Sequence, residues 1–227
     1  MSESTVLKVS NLRVVYRRRG HPDVTAVDGL SLQIEAGRTV GLVGPSGSGK
    51  SSIAKAILGL APIDGGSVEL FGKDIKTLDR AGWKAVRRRA QMIFQDVGGS
   101  LTPRMRIGEA VAEPLLIHGL APDRADRARR AVALLEEVGL DAALAARYPH
   151  ELSGGQRQRV LIARALATEP EFVIADEPTA SLDLSIQTQI LALLDTQKRR
   201  RNLAMLYISH DMRTVRALCD DVVGLST

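Results

Sequence analysis

The chain is 227 residues long, enough for one domain of ordinary size with a core that needs no disulfide or metal. Hydrophobic residues make up 44%, charged residues 25% and aromatic residues 3%; this is the balance of a soluble globular protein with an aliphatic core, and the lone Cys219 excludes an internal disulfide. The net charge of +5 gathers in arginine clusters at 17–19, 87–89 and 199–201, which read as solvated helix ends and loops rather than a nucleic-acid surface, because no aromatic platform is interleaved with them.

No apolar run follows a basic start in residues 1–10, so no secretory signal is expected. Alternating segments at 7–16, 30–34 and 67–71 predict an antiparallel part of the core. The run TVGLV at 39–43 predicts a strand buried on both faces. It leads into Gly44, Pro45, Ser46, Gly47, Ser48, Gly49, Lys50 and Ser51, which match G-x-x-x-x-G-K-[ST]. Such glycines let the backbone curl a ring of N–H groups around a β-phosphate. Lys50 then places a point charge on the β and γ oxygens, and the Ser51 hydroxyl is suited to Mg²⁺. A helix expected over 50–60 turns its positive end to the nucleotide, with Ser52 in its first turn. A glycine-rich surface turn is the plain alternative; the place of the match between a strand and a helix argues against it.

Residues 96–157 change character. Segments 108–118, 124–138 and 141–147 read as helices, a helical insertion into an α/β core. The run FVIA at 172–175 is a second buried strand, followed by Asp176 and Glu177. At the carboxyl end of a parallel strand, side chains face the ligand crevice. There Asp176 is placed to hold Mg²⁺ and Glu177 to orient and activate a water; taken alone, the pair could be solvated acids at a strand end. A long helix follows at about 184–199, then a third buried strand, AMLYI at 204–208, ending in Ser209 and His210. The apolar runs are too short to span a bilayer, so work at a membrane requires a partner with spanning helices.

The stretch LSGGQ at 152–156, continuing RQRVLIARAL, precedes DEPTASLD at 176–183. With these residues the chain resembles the ABC transporter ATPases over nearly its whole length. The order of phosphate loop, glutamine, LSGGQ, acidic strand, SLD and histidine matches as well. The resemblance implies an α/β fold: a P-loop NTPase (RecA-like) core with an antiparallel β subdomain and an inserted helical subdomain. The core would be 1–95 and 158–227, with 96–157 as the helical part of a single domain. It implies ATP and Mg²⁺ as ligands, and catalytic roles for Glu177, His210, Lys50 and Gln95. Ser51, Gln95 and Asp176 would serve the metal.

By the same resemblance, Ser153, Gly154, Gly155 and Gln156 bind the γ-phosphate of the ATP held by another subunit, so two cassettes pack head to tail. Asp183 lies in the loop that crosses their interface, or caps the following helix, or both. Tyr16 stacks on adenine, against the plainer reading of a half-buried strand-end tyrosine. The partners implied are transmembrane permease subunits and a second ATPase subunit, identical or related, at the cytoplasmic face of the membrane. Neither nucleic acid nor direct contact with the transported substrate is expected.

Residues 94–119, with SLTPR after the glutamine, are similar to the di- and oligopeptide and nickel importer ATPases. They depart from that group in Val-Gly-Gly at 97–99 and in Thr102 where Asn is usual. The family normally continues beyond VRALCDDVV with further strands, so an end at Thr227 is expected to leave a sheet edge open. No iron–sulfur cluster is expected with one cysteine. A non-transport ABC protein acting on DNA or ribosomes, or a non-catalytic nucleotide-binding subunit, are the alternatives. Against them stand the absence of coiled coils and zinc modules and the presence of Lys50, Asp176, Glu177 and His210.

Overall fold

The structure is a computed structural model and describes residues 5–18 and 20–225. Arg19, residues 1–4 and the chain end at Thr227 lie outside the described residues. The chain opens with two long strands, β1 (Thr5–Tyr16) and β2 (Val24–Glu35), followed by β3 (Thr39–Val43) and helix α1 (Lys50–Ile57). Next come β4 (Gly65–Leu70), β5 (Lys73–Asp74), α2 (Arg80–Arg89) and β6 (Ala90–Ile93). The stretch before the next strand is helical: α3 (Val97–Ser100), α4 (Ile107–His118), α5 (Arg124–Glu137) and α6 (Gly154–Leu166). The last elements are β7 (Phe172–Asp176), α7 (Leu184–Arg201), β8 (Ala204–Ser209), α8 (Met212–Leu218) and β9 (Asp221–Gly224).

The strands form two sheets. One is four-stranded and antiparallel in the order β2-β1-β4-β5; the other has five strands in the order β6-β7-β8-β3-β9, all parallel. The apolar runs are continuous because both faces of the parallel sheet are covered. Along β7 and β8 the side chains alternate between two cores. Phe172, Ile174, Ala204, Leu206 and Ile208 pack with α1 and the antiparallel sheet, whereas Val173, Ala175, Met205 and Tyr207 pack with α4 to α8. A period of two with apolar residues at every position is what a doubly covered strand requires. The aliphatic expectation needs one amendment: Tyr207 and Phe172 are the largest fully buried side chains, so two of the few aromatic residues fill the centre of the sheet.

Two local expectations are corrected. The helix opened by Lys50 ends at Ile57, not near residue 60; the chain turns at Leu58–Gly59, with the Leu60 N–H on the Lys55 carbonyl, and the Trp83 ring of α2 fills the space beside the turn. Segment 141–147 is a 3₁₀ turn over Ala142–Ala146 rather than an α-helix. Asp141 caps it through the Ala143 N–H, none of its residues is buried, and Pro149 two residues on prevents continuation. The arginines at 87–89 stand at a helix end, as expected: α2 is capped by Asp79, and Val86 is its one buried residue. Arg87 lies over the Trp83 ring and Arg89 over the Phe71 ring, and Arg89 is also paired with Glu171. At the end of the chain β9 pairs with β3 on one side and is the last strand of its sheet.

Candidate functional site

The carboxyl ends of β3, β7 and β8 converge because these strands are neighbours in register. Val43 lies beside Ser209, and Asp176 beside Ile208. The loop after β3 reaches α1 through Gly49, whose φ is +87° and whose missing side chain leaves room for the Ala26 carbonyl of β2: an added Cβ would lie 2.1 Å from that oxygen. Only glycine suits both conditions. α1 therefore starts with its N–H groups and Lys50 directed over the sheet end.

Lys50 is almost fully buried, 5% exposed. Its ammonium donates to the Gly44 and Pro45 carbonyls at 2.8 Å each, and lies 3.8 Å from Glu177 Oε1. The other oxygen of Glu177 accepts from Gln95 Nε2 at 3.1 Å and lies 3.3 Å from His210 Nδ1. The backbone at Glu177 is left-handed, with φ of +45°, and its N–H is held by the Ile208 carbonyl. That conformation turns the carboxylate off the strand and into the cluster; for a residue other than glycine it carries a strain of about 1 kcal/mol or more.

Asp176, at the end of β7, is 4% exposed. Burial pushes its carboxyl above the ordinary range, opposed by a hydrogen bond from Ser51 and reinforced by the nearby Glu177 charge. Its Oδ1 has no hydrogen-bond partner among the described residues, and neither has the buried Ser48 Oγ. A desolvated carboxylate oxygen left unpaired beside a serine hydroxyl fits a small hard cation, which takes oxygen donors and keeps some of its water. Gln95 is placed close by but spends its amide on Glu177.

Tyr16 ends β1 opposite Val24, is 38% exposed and donates its hydroxyl to Ser52 Oγ at 3.2 Å. The ring is thus neither core nor loose; it stands against the first turn of α1. The His210 loop is secured by groups that the pattern ISHD suggests only in part. Ser209 Oγ accepts the Asp211 N–H at 3.0 Å and lies 3.2 Å from Thr214 Oγ1. Asp211 caps α8, and Arg213 beside it holds the Asp211 carboxyl below its usual value.

Ser153, Gly154, Gly155 and Gln156 start α6 at a second place. Ser153 Oγ accepts the Gln156 N–H and Gln156 Oε1 accepts the Ser153 N–H, at 3.2 and 2.9 Å. This capping box satisfies its own two members. Gly155 is also a packing requirement: an added Cβ would sit 2.8 Å from Ile186 Cγ2 of α7. Asp183 caps α7 by accepting the Ile186 N–H at 3.0 Å, and Leu184 beside it is 68% exposed. Between α1, β6, α4 and α6 runs a cavity of about 770 Å³, with Ser51, Gln95 and Asp176 among its lining residues and Ile117 and His118 among those from α4.

Residues 27–180 match the ABC transporter family. A peptide import ATP-binding protein of Brucella abortus is 50% identical over 88% of this chain and 60% of its own length. One of Brucella ovis is 45% identical over 99% of the chain and 70% of its own. A peptidoglycan transport ATP-binding protein of Agrobacterium fabrum is 46% identical over 91% of the chain and 38% of its own. The chain thus spans about 60% of the length of the first of these relatives. Among solved structures, a dimeric ATP-binding cassette in a post-hydrolysis state with ADP and Pi superposes with a TM-score of 0.87, 31% identity and coverage of 97% of this chain and 94% of that one. A dimeric bacterial ABC transporter cassette gives 0.86, 32%, 96% and 94%.

Proposed function

The chain belongs to the ABC transporter family, and from that premise we propose that it binds and hydrolyses ATP to power a peptide importer, as one of two cassettes docked on membrane-spanning permease subunits. Among the described residues no helix is long and apolar enough to cross a membrane, so permeases of that kind would supply the spanning part. The cassette would then sit at the cytoplasmic face. The peptide assignment comes from the names of the relatives together with residues 94–119.

The observation that carries the catalytic reading is the meeting of Lys50, Gln95 and His210 on the Glu177 carboxylate. In this reading the N–H groups at the start of α1 and the Lys50 ammonium bind the β- and γ-phosphates. The ammonium is already stripped of water by the two carbonyls that hold it, so little solvent must be rearranged when the phosphates arrive. Tyr16 offers its face to the adenine. Glu177 accepts a proton from the attacking water, and its position is set by Gln95 on one side and by His210 on the other. His210 also donates to the γ-phosphate. Ser51, Asp176 and Gln95 would hold Mg²⁺, which would supply charge neutralisation for the phosphate oxygens. Ser153, Gly154, Gly155 and Gln156 of one copy cover the γ-phosphate held by the other, with Asp183 in the loop between them, so one copy alone holds half of each site.

The test is the solution size of the Glu177→Gln chain with and without MgATP, paired with turnover of the unaltered chain. ATP-dependent dimers of the variant together with hydrolysis by the unaltered chain support the reading. A variant that binds ATP and stays monomeric would overturn the two-copy site, and an unaltered chain that binds but never hydrolyses ATP would overturn the catalytic role.

A further inference from the structure

Of the three groups that meet the Glu177 carboxylate, Lys50 opens α1 after the loop from β3, His210 follows β8 by one residue and Gln95 follows β6 by two. The segment that carries Gln95 is held again at its far end. Beyond Gln95 the chain turns through α3, where Asp96 Oδ1 accepts the Gly99 N–H at 3.0 Å and the Asp96 carbonyl accepts the Ser100 hydroxyl. The turn is thereby a closed unit of a few residues with Gln95 at its near end and the Ser100 carbonyl at its far end. That carbonyl accepts from Arg164 Nη1 at 2.8 Å, while Arg164 Nη2 donates to Glu113 Oε2 of α4 at 2.7 Å.

Arg164 lies in the last turn of α6. A cation there could simply complement the negative end of its own helix. Instead its planar fork spans two other elements, α3 and α4, and it borders the same cavity as Gln95 and Asp176. Both partners of the Arg164–Glu113 pair keep about a third of their side-chain surface in solvent, so the pair adds modest stability and its value is geometric. Ser153–Gln156 and Arg164 are carried on one helix. At 1.5 Å per residue the ends are roughly 15 Å apart on a stiff rod.

We propose that Arg164 is a positioning residue that ties the start of α6 to the Glu177 carboxylate: by holding the Ser100 carbonyl it sets the turn that presents the Gln95 amide. Seating of the α6 start on the nucleotide of a second copy then moves Arg164, and through Ser100 and Asp96 it moves the amide that orients Glu177. This rests on the ATPase reading above.

The experiment compares Arg164→Met, Gln95→Ala and the double variant with the unaltered chain. It reads hydrogen exchange over 96–101, ATP affinity, and kcat. The expected result for Arg164→Met is exchange over 96–101 several-fold faster, ATP affinity within about twofold, and kcat lower by about tenfold, since sub-ångström misplacement of a catalytic group is costly. In the double variant kcat should match Gln95→Ala alone, because the two residues act through one step. Unchanged exchange, or kcat losses that multiply, would overturn the proposal; a general loss of stability lowers exchange protection everywhere and gives no such non-additivity. Where the Met variant does not fold, Arg164→Lys retains a charge opposite Glu113 but cannot span both acceptors as a fork, and it carries the same comparison. An unaltered chain without ATP turnover refutes the ATPase reading, while the exchange over 96–101 still decides whether Arg164 holds the turn.

Discussion

The starts of α1 and α6 are both glycine-rich approaches to a helix, and they differ in what stands opposite. At α1 the chain supplies Lys50, a carboxylate oriented by Gln95 and His210, and the buried Asp176. At α6 it supplies a capping box whose members satisfy each other. One end gathers charged and buried groups from several strands. The other keeps to its own helix and its cap. A helix N-terminus by itself attracts anions weakly; what makes one of them a reaction site is charge and desolvation gathered by other strands. The same motif chemistry therefore yields two different parts, and the asymmetry fits a machine assembled from two copies.

The contrast breaks most visibly at Glu177. Glu177→Gln should lower turnover by about 10²–10⁴-fold while ATP binding persists, measured as steady-state phosphate release against nucleotide affinity. Lys50→Ala should lower ATP affinity of the monomer by about 10- to 150-fold, the equivalent of a charged hydrogen-bond partner worth about 1.5–3 kcal/mol; equilibrium binding of a fluorescent ATP analogue checks it. Ser153→Ala sharpens the comparison from the other end. It should leave monomer ATP affinity unchanged and weaken ATP-dependent dimerisation by several-fold, with a loss of about 1 kcal/mol of stability from the missing cap, read by sedimentation and thermal unfolding. If Ser153→Ala instead weakens binding in the monomer, the two helix starts serve one site within one chain.

The smallest effect concerns Asp176. Burial raises its carboxyl above the ordinary value, so the folded chain favours the neutral acid more than the unfolded chain does. Stability contributed by the neutral acid is complete below the ordinary carboxylate range and declines as pH rises through the raised value. Asp176→Asn should therefore raise the ligand-free midpoint at pH 7 by about 2–4 °C, the shift expected from about 1 kcal/mol in a domain of this size. It should also flatten the fall in midpoint as pH rises from the ordinary carboxylate range through the raised value, read by thermal unfolding. A lower midpoint at neutral pH would show that Asp176 is already compensated by Ser51.

Much of the site was legible because it lies where strong local rules coincide. Continuous apolar runs ending in glycine, carboxylate or histidine located the ends of β3, β7 and β8, and the helices at Ile107–His118 and Arg124–Glu137 follow from their apolar stripes and caps. What escaped has weak local signals. α2 has a short apolar face, Val86 buried with Trp83 packed on the core one turn earlier, and its polar remainder and arginines hide the helix in the composition. The 3₁₀ turn at Ala142–Ala146 has helix-forming composition but neither the length nor the burial to become an α-helix. The tie between Ser100, Glu113 and Arg164 joins residues 51 and 64 positions apart, and no local pattern encodes it.

The left-handed backbone at Glu177 sets stability and use against each other at one position. Glycine there would relieve the strain and remove the carboxylate in a single step. The relaxed backbone and the three partners of the carboxylate therefore cannot both be had at residue 177.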